Sequence, residues 1–445
     1  EIPIVSVESK VKSRLNSGSR LPLTAEVQNF KFNELSYLWS TPTGNLDFSD
    51  PSTLLTSNSE PNLVIAPGIL RQGTSYTVKI TVTAIATGSS GSATLDFTIN
   101  GPPSLGACQA SPPTGDALLT YYRLECIKWA DPEGDLPITY KFQADPSGTG
   151  YYIDLSTEQT LDYFETILPA PNANGAAVNL RTIVKDSLGA ASTSQFSAIV
   201  NARTIDVNDA SNSVNDLITK GDLATSGVLL SGIVDQVSKN AATDSSEGSA
   251  AQDSEQSSRA RVVSSLTSFV STVTNLRGSA ESLGTPSVLL QQATKTVNPG
   301  GISPGSSSQA LKTANAIINV TGFAGTPAPK SIVGVLGNLI LAAGGRNNES
   351  DVIDTVTKAQ AASANIGATL LDGALTGEKQ REVISGNFSV VSRRLGSREI
   401  TSGSGIRSSS GTALNLSESL KFRGSGVDVL TSFSVSPTYP SNDGA

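Results

Sequence analysis

Apolar residues recur at every second position through Tyr76, Val78, Ile80 and Val82, and again through Ala93, Leu95, Phe97 and Ile99. Alternation of this kind between Gly, Ser and Thr clusters predicts antiparallel strands with one buried face. The segment joining the two runs, TGSSG, reads as a flexible hairpin link. Upstream, Tyr37 and Trp39 fall on one face just before a turn. Trp39 is expected in a core rather than in a binding site. Short strands at this spacing predict an immunoglobulin-like sandwich over residues 1–100.

Residues 101–203 repeat the plan. Tyr122, Leu124 and Cys126 alternate, then Ile138, Tyr140 and Phe142, and the clusters SPPTGD and DPEGDLP supply the turns. The run at 155–168, LSTEQTLDYFETIL, fits strand or helix by pattern and is taken as strand. VNLRTIVKDSLGAAS followed by SQFSAIVN reads as a closing hairpin, the counterpart of the pair in the first half. Each half ends in an apolar strand punctuated by asparagine, at Ile99-Asn100 and Val200-Asn201. A repeat of about 100 residues predicts two sandwiches in tandem, strung one after the other.

The period changes at about residue 204. Leu223, Val228, Leu230, Val234 and Val237 fall at helical spacing in one stretch. Val262, Leu266, Phe269, Val270 and Val273 do so in the next. Further helices are expected in PSVLLQQATKTV, SSSQALKTANAIINVTG, PKSIVGVLGNLILAAG and ESDVIDTVTKAQAASANIGATLLDGAL, with Pro286 in a first turn. Between the first two helices, 241–259 is acidic, serine-rich and without apolar period, so an exposed, mobile loop is expected there. This helical segment runs over 204–382. Alternating runs such as NFSVVSRRL and VDVLTSFSVSPTYP then return over 383–445. They read as the opening strands of an incomplete β-subdomain, and the polypeptide is expected to continue past Ala445.

Composition narrows the function. At 445 residues, 38% hydrophobic and 5% aromatic, the chain suits several thin layers rather than one large core. It carries 39 acidic against 31 basic residues, and no Lys/Arg stripe interleaves with aromatics, so nucleic acid is not an expected partner. No apolar run approaches the length that spans a bilayer. Glu1 opens without a charged or apolar leader, which suggests a processed product or a piece of something longer. Histidine is absent, which excludes Ser-His-Asp and Cys-His catalysis and most zinc sites. No phosphate-binding G-x-x-x-x-G-K-[ST] occurs, and no pair of carboxylates stands out. Neither catalysis nor a cofactor is expected.

Three features carry candidate chemistry. Asp131, Glu133 and Asp135 alternate in one turn, a spacing at which hard oxygen ligands could hold Ca²⁺. The order and length of an EF-hand loop fail, however, and a turn with solvated carboxylates is the preferred reading. N-x-[ST] sequons stand at Asn319, Asn348, Asn387 and Asn415, in numbers no greater than chance supplies. In a secreted chain the exposed ones are expected to carry glycan. Asn348 has the most loop-like context, whereas Asn319 would be acceptable only at a helix end. Cys108 and Cys126, the two cysteines, lie 18 apart on strands of one expected sheet. A bond between them would close a loop worth about 3 kcal/mol by loop-closure entropy. The alternative is two buried free thiols in a cytosolic protein. The extracellular look of the module favours the disulfide and an oxidising compartment.

These residues also form a family pattern. The stretch from Gly101 to Phe142, preceded by W-S-x-P-x-G and Y-T-V-x-I-x-V, resembles the receptor-for-egg-jelly (REJ) region of polycystin-1-like ectodomains. Pro102, Pro103, Gly106, Cys108, Pro112, Gly115, Ala117, Leu118, Thr120, Cys126, Trp129, Asp131, Pro137, Tyr140 and Phe142 fill the family's fixed positions. The resemblance is strong over 60–142 and looser after 205, where the helices are also similar to the helical part of GAIN domains. Self-cleaving GAIN domains use a Cys/Trp-rich site with a His-Leu-(Thr/Ser) motif. This chain has neither histidine nor any cysteine after Cys126, so such a site either lies beyond Ala445 or is missing, and these residues support no claim of autoproteolysis.

The resemblance implies a multidomain β plus α architecture. Tandem immunoglobulin/PKD-like β-sandwiches would precede a helical GAIN-like subdomain and the start of a further β-subdomain. It also implies a non-catalytic ectodomain of a cell-surface glycoprotein, with extracellular proteins or glycans as partners. On the resemblance alone, the setting would be a ciliary or flagellar membrane beside a polycystin-type channel. The alternative class is a self-associating subunit of an extracellular filament or coat, whose contacts should each bury well over about 1,000 Å².

Overall fold

Two β-patterns, the second repeating the connectivity of the first with one extra edge strand, follow one another in a computed structural model of the chain. It describes residues 1–9, 14–42, 46–171, 175–243, 249–276, 280–296, 300–320, 326, 328–344, 348–386, 388–396, 406–407, 413–414 and 426–434. The first pattern comprises β1 (Ile4–Ser9), β2 (Arg14–Asn16), β3 (Leu21–Gln28), β4 (Leu35–Ser40), β5 (Asn62–Ile65), β6 (Ser75–Ala84) and β7 (Ser90–Asn100). They form sheets β1-β3-β5 and β2-β7-β6-β4. Tyr76, Val78, Ile80 and Val82 point into the core between the sheets, as the period of two requires. Trp39 sits opposite Ile80 with 1% of its surface exposed, and its indole N–H donates to the Glu60 carbonyl at 2.9 Å. Burial satisfies both halves of that side chain.

The expected flexible link is shorter than its sequence suggests. Ser90 and Gly91 already belong to β7, and a Cβ on Gly91 would collide with the Pro3 carbonyl oxygen. Glycine is there for a close backbone approach, not for freedom.

The second pattern comprises β8 (Ala107–Ser111), β9 (Thr114–Asp116), β10 (Tyr121–Ile127), β11 (Thr139–Asp145), β12 (Ile153–Asp154), β13 (Tyr163–Ile167), β14 (Ala176–Lys185) and β15 (Ala191–Asn201). Its sheets run β8-β10-β13 and β9-β15-β14-β11-β12. The last strand of each pattern pairs in parallel with a short early one: Ile99 with Leu15, and Val200 with Gly115. The strand reading of 155–168 holds for its second half, β13. The extra edge strand β12 changes what the second sandwich can do, because helices cover it. β11 is consequently buried on both faces, and Lys141, Gln143 and Asp145 lie inside.

Among the described residues seven α-helices follow: α1 (Val207–Lys220), α2 (Leu223–Thr243), α3 (Ser249–Asn275), α4 (Gly284–Thr294), α5 (Pro304–Ile318), α6 (Ala328–Ala343) and α7 (Glu349–Leu370). The starts of α1, α5 and α7 follow capping chemistry. The Asp206 carboxylate accepts from the Asn208 and Asp209 N–H groups, Ser303 caps α5 ahead of Pro304, and Asn348 caps α7. Gly221, at φ 81°, ends α1 in the left-handed conformation and splits the first expected helix in two. The expected loop over 241–259 is overturned in most of its length. α2 runs to Thr243, and 249–259 are the first turns of α3. No apolar period betrayed this helix because the side chains it buries there are Glu255 and Arg259, paired at 2.7 Å. Further along, Val262, Val263, Leu266, Phe269, Val270 and Val273 are buried in the usual apolar way.

Strands return as β16 (Arg381–Ser385), β17 (Phe388–Gly396), β18 (Ile406–Arg407), β19 (Ala413–Leu414) and β20 (Gly426–Ser434). The sheet β16-β17-β20 lies against α6 and α7. The sandwiches are tandem in sequence but not strung out. The first folds back on the segment after α7, where Arg20 donates to the Gly373 carbonyl and to Glu378, each at 2.6 Å. Lys379 N–H meets the Leu55 carbonyl at 2.8 Å and Lys379 Nζ the Pro51 carbonyl at 2.6 Å. Architecture is therefore β plus α, with the helical layer held between the second sandwich and the last sheet.

Candidate functional site

Cys108 and Cys126 face each other across β8 and β10 and are joined by a disulfide, with Cα atoms 4.0 Å apart. The residues around it explain themselves by packing. The Trp129 indole lies on Gly106, where any Cβ would overlap its Cγ. Gly115 is pressed by Thr120, whose hydroxyl accepts from the Asp116 N–H at 2.8 Å. Ala117, Tyr140 and Phe142 are buried in the core. Most of the pattern that carries the family resemblance is thus a folding signature and presents no reactive group.

The acidic turn is different. Asp131 Oδ1 accepts from the N–H groups of Glu133 and Asp135 at 3.1 and 2.8 Å, and Gly134 adopts φ 78°. Glu133 Oε1 accepts from the Gly101 N–H at 3.2 Å, and Asp135 pairs with Arg14 at 2.7 Å. Asn100 donates from Nδ2 to Asp186 at 2.7 Å and to Asn16 Oδ1 at 3.1 Å. Asn16 donates to the Leu188 carbonyl, and Asp186 accepts from the N–H groups of Leu188 and Ala190. The turn exists as expected, but its carboxylates are not simply solvated: they lock one sandwich to the next. Among the described residues, no group of three or more His, Cys, Asp or Glu side chains is arranged to hold a metal.

A cleft of about 210 Å³ opens between the second sandwich and the helices. Lys141, Asp154 and Glu158 form its polar wall, and Leu223, Phe269, Val273 and Leu276 its apolar one. Asp154 ties the walls together: its carboxylate takes Lys141 at 3.0 Å and Gln143 at 2.6 Å, while its N–H donates to Thr285 at 2.6 Å. Burial works to raise the Glu158 carboxyl. Hydrogen bonds from Lys185 and Thr139, each at 2.8 Å, together with the lysine's charge, outweigh it and hold the group below its ordinary value. The cleft can seat an apolar side chain or small amphipathic molecule. Each of its two acids is engaged by a lysine, Asp154 by Lys141 and Glu158 by Lys185.

Asn319 is exposed at the C-terminal end of α5, the one helical position the sequence reading allowed it. Asn348 is exposed at the start of α7 and caps it through Oδ1, 3.1 Å from the Ser350 N–H. Its Nδ2, the atom a glycan takes, is not the capping atom. Asn387 and Asn415 lie outside the described residues. Sequence reasoning missed the Asn100–Asp186 and Arg20–Glu378 contacts. Asparagine at the end of the first closing strand was the one visible signal for the former.

A family model described as REJ domain matches residues 2–242, which takes in both sandwiches, α1 and nearly all of α2. Human polycystin-1 is 30% identical over 145 residues, covering 32% of this chain. That match occupies 3% of polycystin-1, so the chain spans a small part of its relative's length. Among solved structures, three N-terminal domains of the bacteriophage RB49 highly immunogenic outer capsid protein align at 12% identity. They cover 46% of this chain and 71% of theirs, with a TM-score of 0.23. A SusE-like surface-located polysaccharide-binding protein of Bacteroides thetaiotaomicron aligns at 15% identity, over 42% of this chain and 32% of its own, at a TM-score of 0.25. No helix among the described residues is long and apolar enough to cross a membrane.

Proposed function

The chain belongs to the REJ domain family, and from that membership we propose that it is a non-catalytic extracellular region of a polycystin-1-like cell-surface glycoprotein, presenting surface for adhesion or ligand binding. The observation that carries the reading is the family match over both sandwiches. The closed Cys108–Cys126 bond supports an oxidising compartment, where such bonds persist. Exposed sequons at Asn319 and Asn348 suit a glycoprotein. The interlocks at Arg14–Asp135 and Arg20–Glu378 suit a body whose modules keep a fixed orientation while their outer faces meet a partner. The finer placement, on a ciliary or flagellar membrane beside a polycystin-type channel, rests on the similarity to a short stretch of polycystin-1. Extracellular proteins or glycans are the partners of this reading.

The test is the mass of the chain secreted from animal cells, by light scattering beside intact-mass spectrometry. A monomer with one closed disulfide and enzymatically removable sugar is the expected result. A regular polymer would replace the receptor reading with that of a filament or coat subunit. Two free thiols and no sugar would remove the extracellular premise.

A further inference from the structure

Three oxygen atoms at the junction of the two sandwiches are buried and have no hydrogen-bond donor: Asn100 Oδ1, Asp131 Oδ2 and Glu133 Oε2. Asn100 as a whole is 1% exposed. Its amide orientation is fixed by the two acceptors that Nδ2 serves, Asp186 and Asn16. A flipped amide would set its oxygen against the Asp186 carboxylate. The two acids are held in the same manner. Asp131 and Glu133 each spend one oxygen on main-chain N–H groups, which orients the carboxylate and leaves the other oxygen bare. Glu133 reaches the residue next to Asn100, and Asp131 caps the turn that carries Glu133, so the three acceptors belong to one small region.

Buried acceptors without donors are costly, and two of these belong to carboxylates. Local charge sharpens the point. Asp131, Glu133, Asp135 and Asp186 meet at this junction, and the arginine that bridges the sandwiches there, Arg14, is bound to Asp135. What the three oxygens lack is positive charge that accepts oxygen ligands in irregular geometry. Ca²⁺ fits that description better than Mg²⁺, which demands a near-ideal octahedron.

We infer that the sandwich junction is a calcium site, with Asn100 Oδ1, Asp131 Oδ2 and Glu133 Oε2 as its protein ligands. Water completes the shell. Two carboxylates and one amide fall short of three acidic ligands, which places the affinity at the weak end, about 10⁻⁴–10⁻³ M, the range of extracellular modules. Because Asn100 ends the first sandwich and the two acids belong to the second, bound calcium clamps the linker and holds the modules at one angle. The geometry stands without the functional proposal above, which bears only on whether calcium is abundant where the chain works. Oligomeric mass and calcium binding therefore fail separately.

The experiment is a calcium titration of the purified full chain, followed by terbium(III) luminescence sensitised through Trp129, two residues from Asp131. Wild type should bind terbium, lose the emission as calcium displaces it within the range above, and respond far less to magnesium. Glu133→Gln and Asp131→Asn keep size and the main-chain bonds, and each should weaken calcium binding at least about tenfold, one carboxylate ligand being lost. Asp354→Asn, exposed on α7, should bind as wild type does, and circular dichroism checks that each variant is folded. No saturable binding by wild type up to about 10 mM calcium, well past that range, overturns the inference. So does equal displacement by magnesium, or binding that Glu133→Gln and Asp131→Asn leave unchanged.

Discussion

Arg259 and Glu255 form an ion pair one turn apart on α3, 2.7 Å between Nε and Oε1, with side chains 1% and 4% exposed. The guanidinium also donates to the Ala293 carbonyl at 2.8 Å, so the pair ties α3 to α4. A buried pair adds less than its Coulomb energy suggests, because both ions lose water, but breaking it strands a charge. Arg259→Ala should therefore cost about 3–5 kcal/mol. Replacing both partners by Leu and Met should cost much less. Urea denaturation followed by far-ultraviolet dichroism, which weights the helices, separates the two outcomes.

The contact between the first sandwich and the segment after α7 makes a second case. Glu378 takes Arg20 at 2.6 Å and Arg381 at 2.9 Å and is itself 3% exposed. Burial pushes the Arg20 guanidinium below its ordinary value, and the Glu378 charge pulls it back up. Glu378→Ala should remove about 2 kcal/mol, discounted because Arg20 is partly exposed. Amide hydrogen exchange should rise at 371–381 and around Arg20, with the second sandwich unchanged. Equal protection in both proteins would mean that this docking is not held by the ion pair.

Gly106 is expected to tolerate no side chain. Gly106→Ala must displace the Trp129 ring, and overpacking of this kind costs about 1–3 kcal/mol. Tryptophan fluorescence should shift to the red as the indole gains water. A variant with unchanged emission and stability would show that the ring has room to move.

The disulfide spans 18 residues, and the loop-closure argument gives it about 3 kcal/mol. Cys108→Ser with Cys126→Ser should lower the denaturation midpoint accordingly. A much smaller loss would indicate that pairing of β8 and β10 already restrains the unfolded chain.

At Asn348 two roles can be divided. Asn348→Asp keeps an oxygen for the Ser350 N–H while removing the glycan acceptor, whereas Asn348→Ala loses the cap too, a change of about 1 kcal/mol. Both should lose the same sugar mass, but only the alanine variant should unfold earlier. Identical midpoints would dismiss the cap.

Alternation through Tyr76 to Val82 and through Tyr122 to Cys126 determined strands, because a side chain every second position must face one way. Repetition of that pattern determined two sandwiches. The start of α4 was readable at Pro286, which falls in its first turn, where no N–H partner is needed, whereas the caps Ser303 and Asn348 emerge only in the structure. The first turns of α3 were not readable. Their buried side consists of an ion pair, and a charged residue carries no sign of burial until its partner and the neighbouring Ala293 carbonyl are in place. The same holds for the junction. Asp131, Glu133 and Asp135 look like any solvated turn until the Asn100 linker and Arg14 are laid against them. Arg20 and Glu378 stand hundreds of residues apart, beyond the reach of any period or motif. Periodicity and a first-turn proline are local and are written in the sequence; pairing of buried charges is a long-range energy, and only the folded chain decides it.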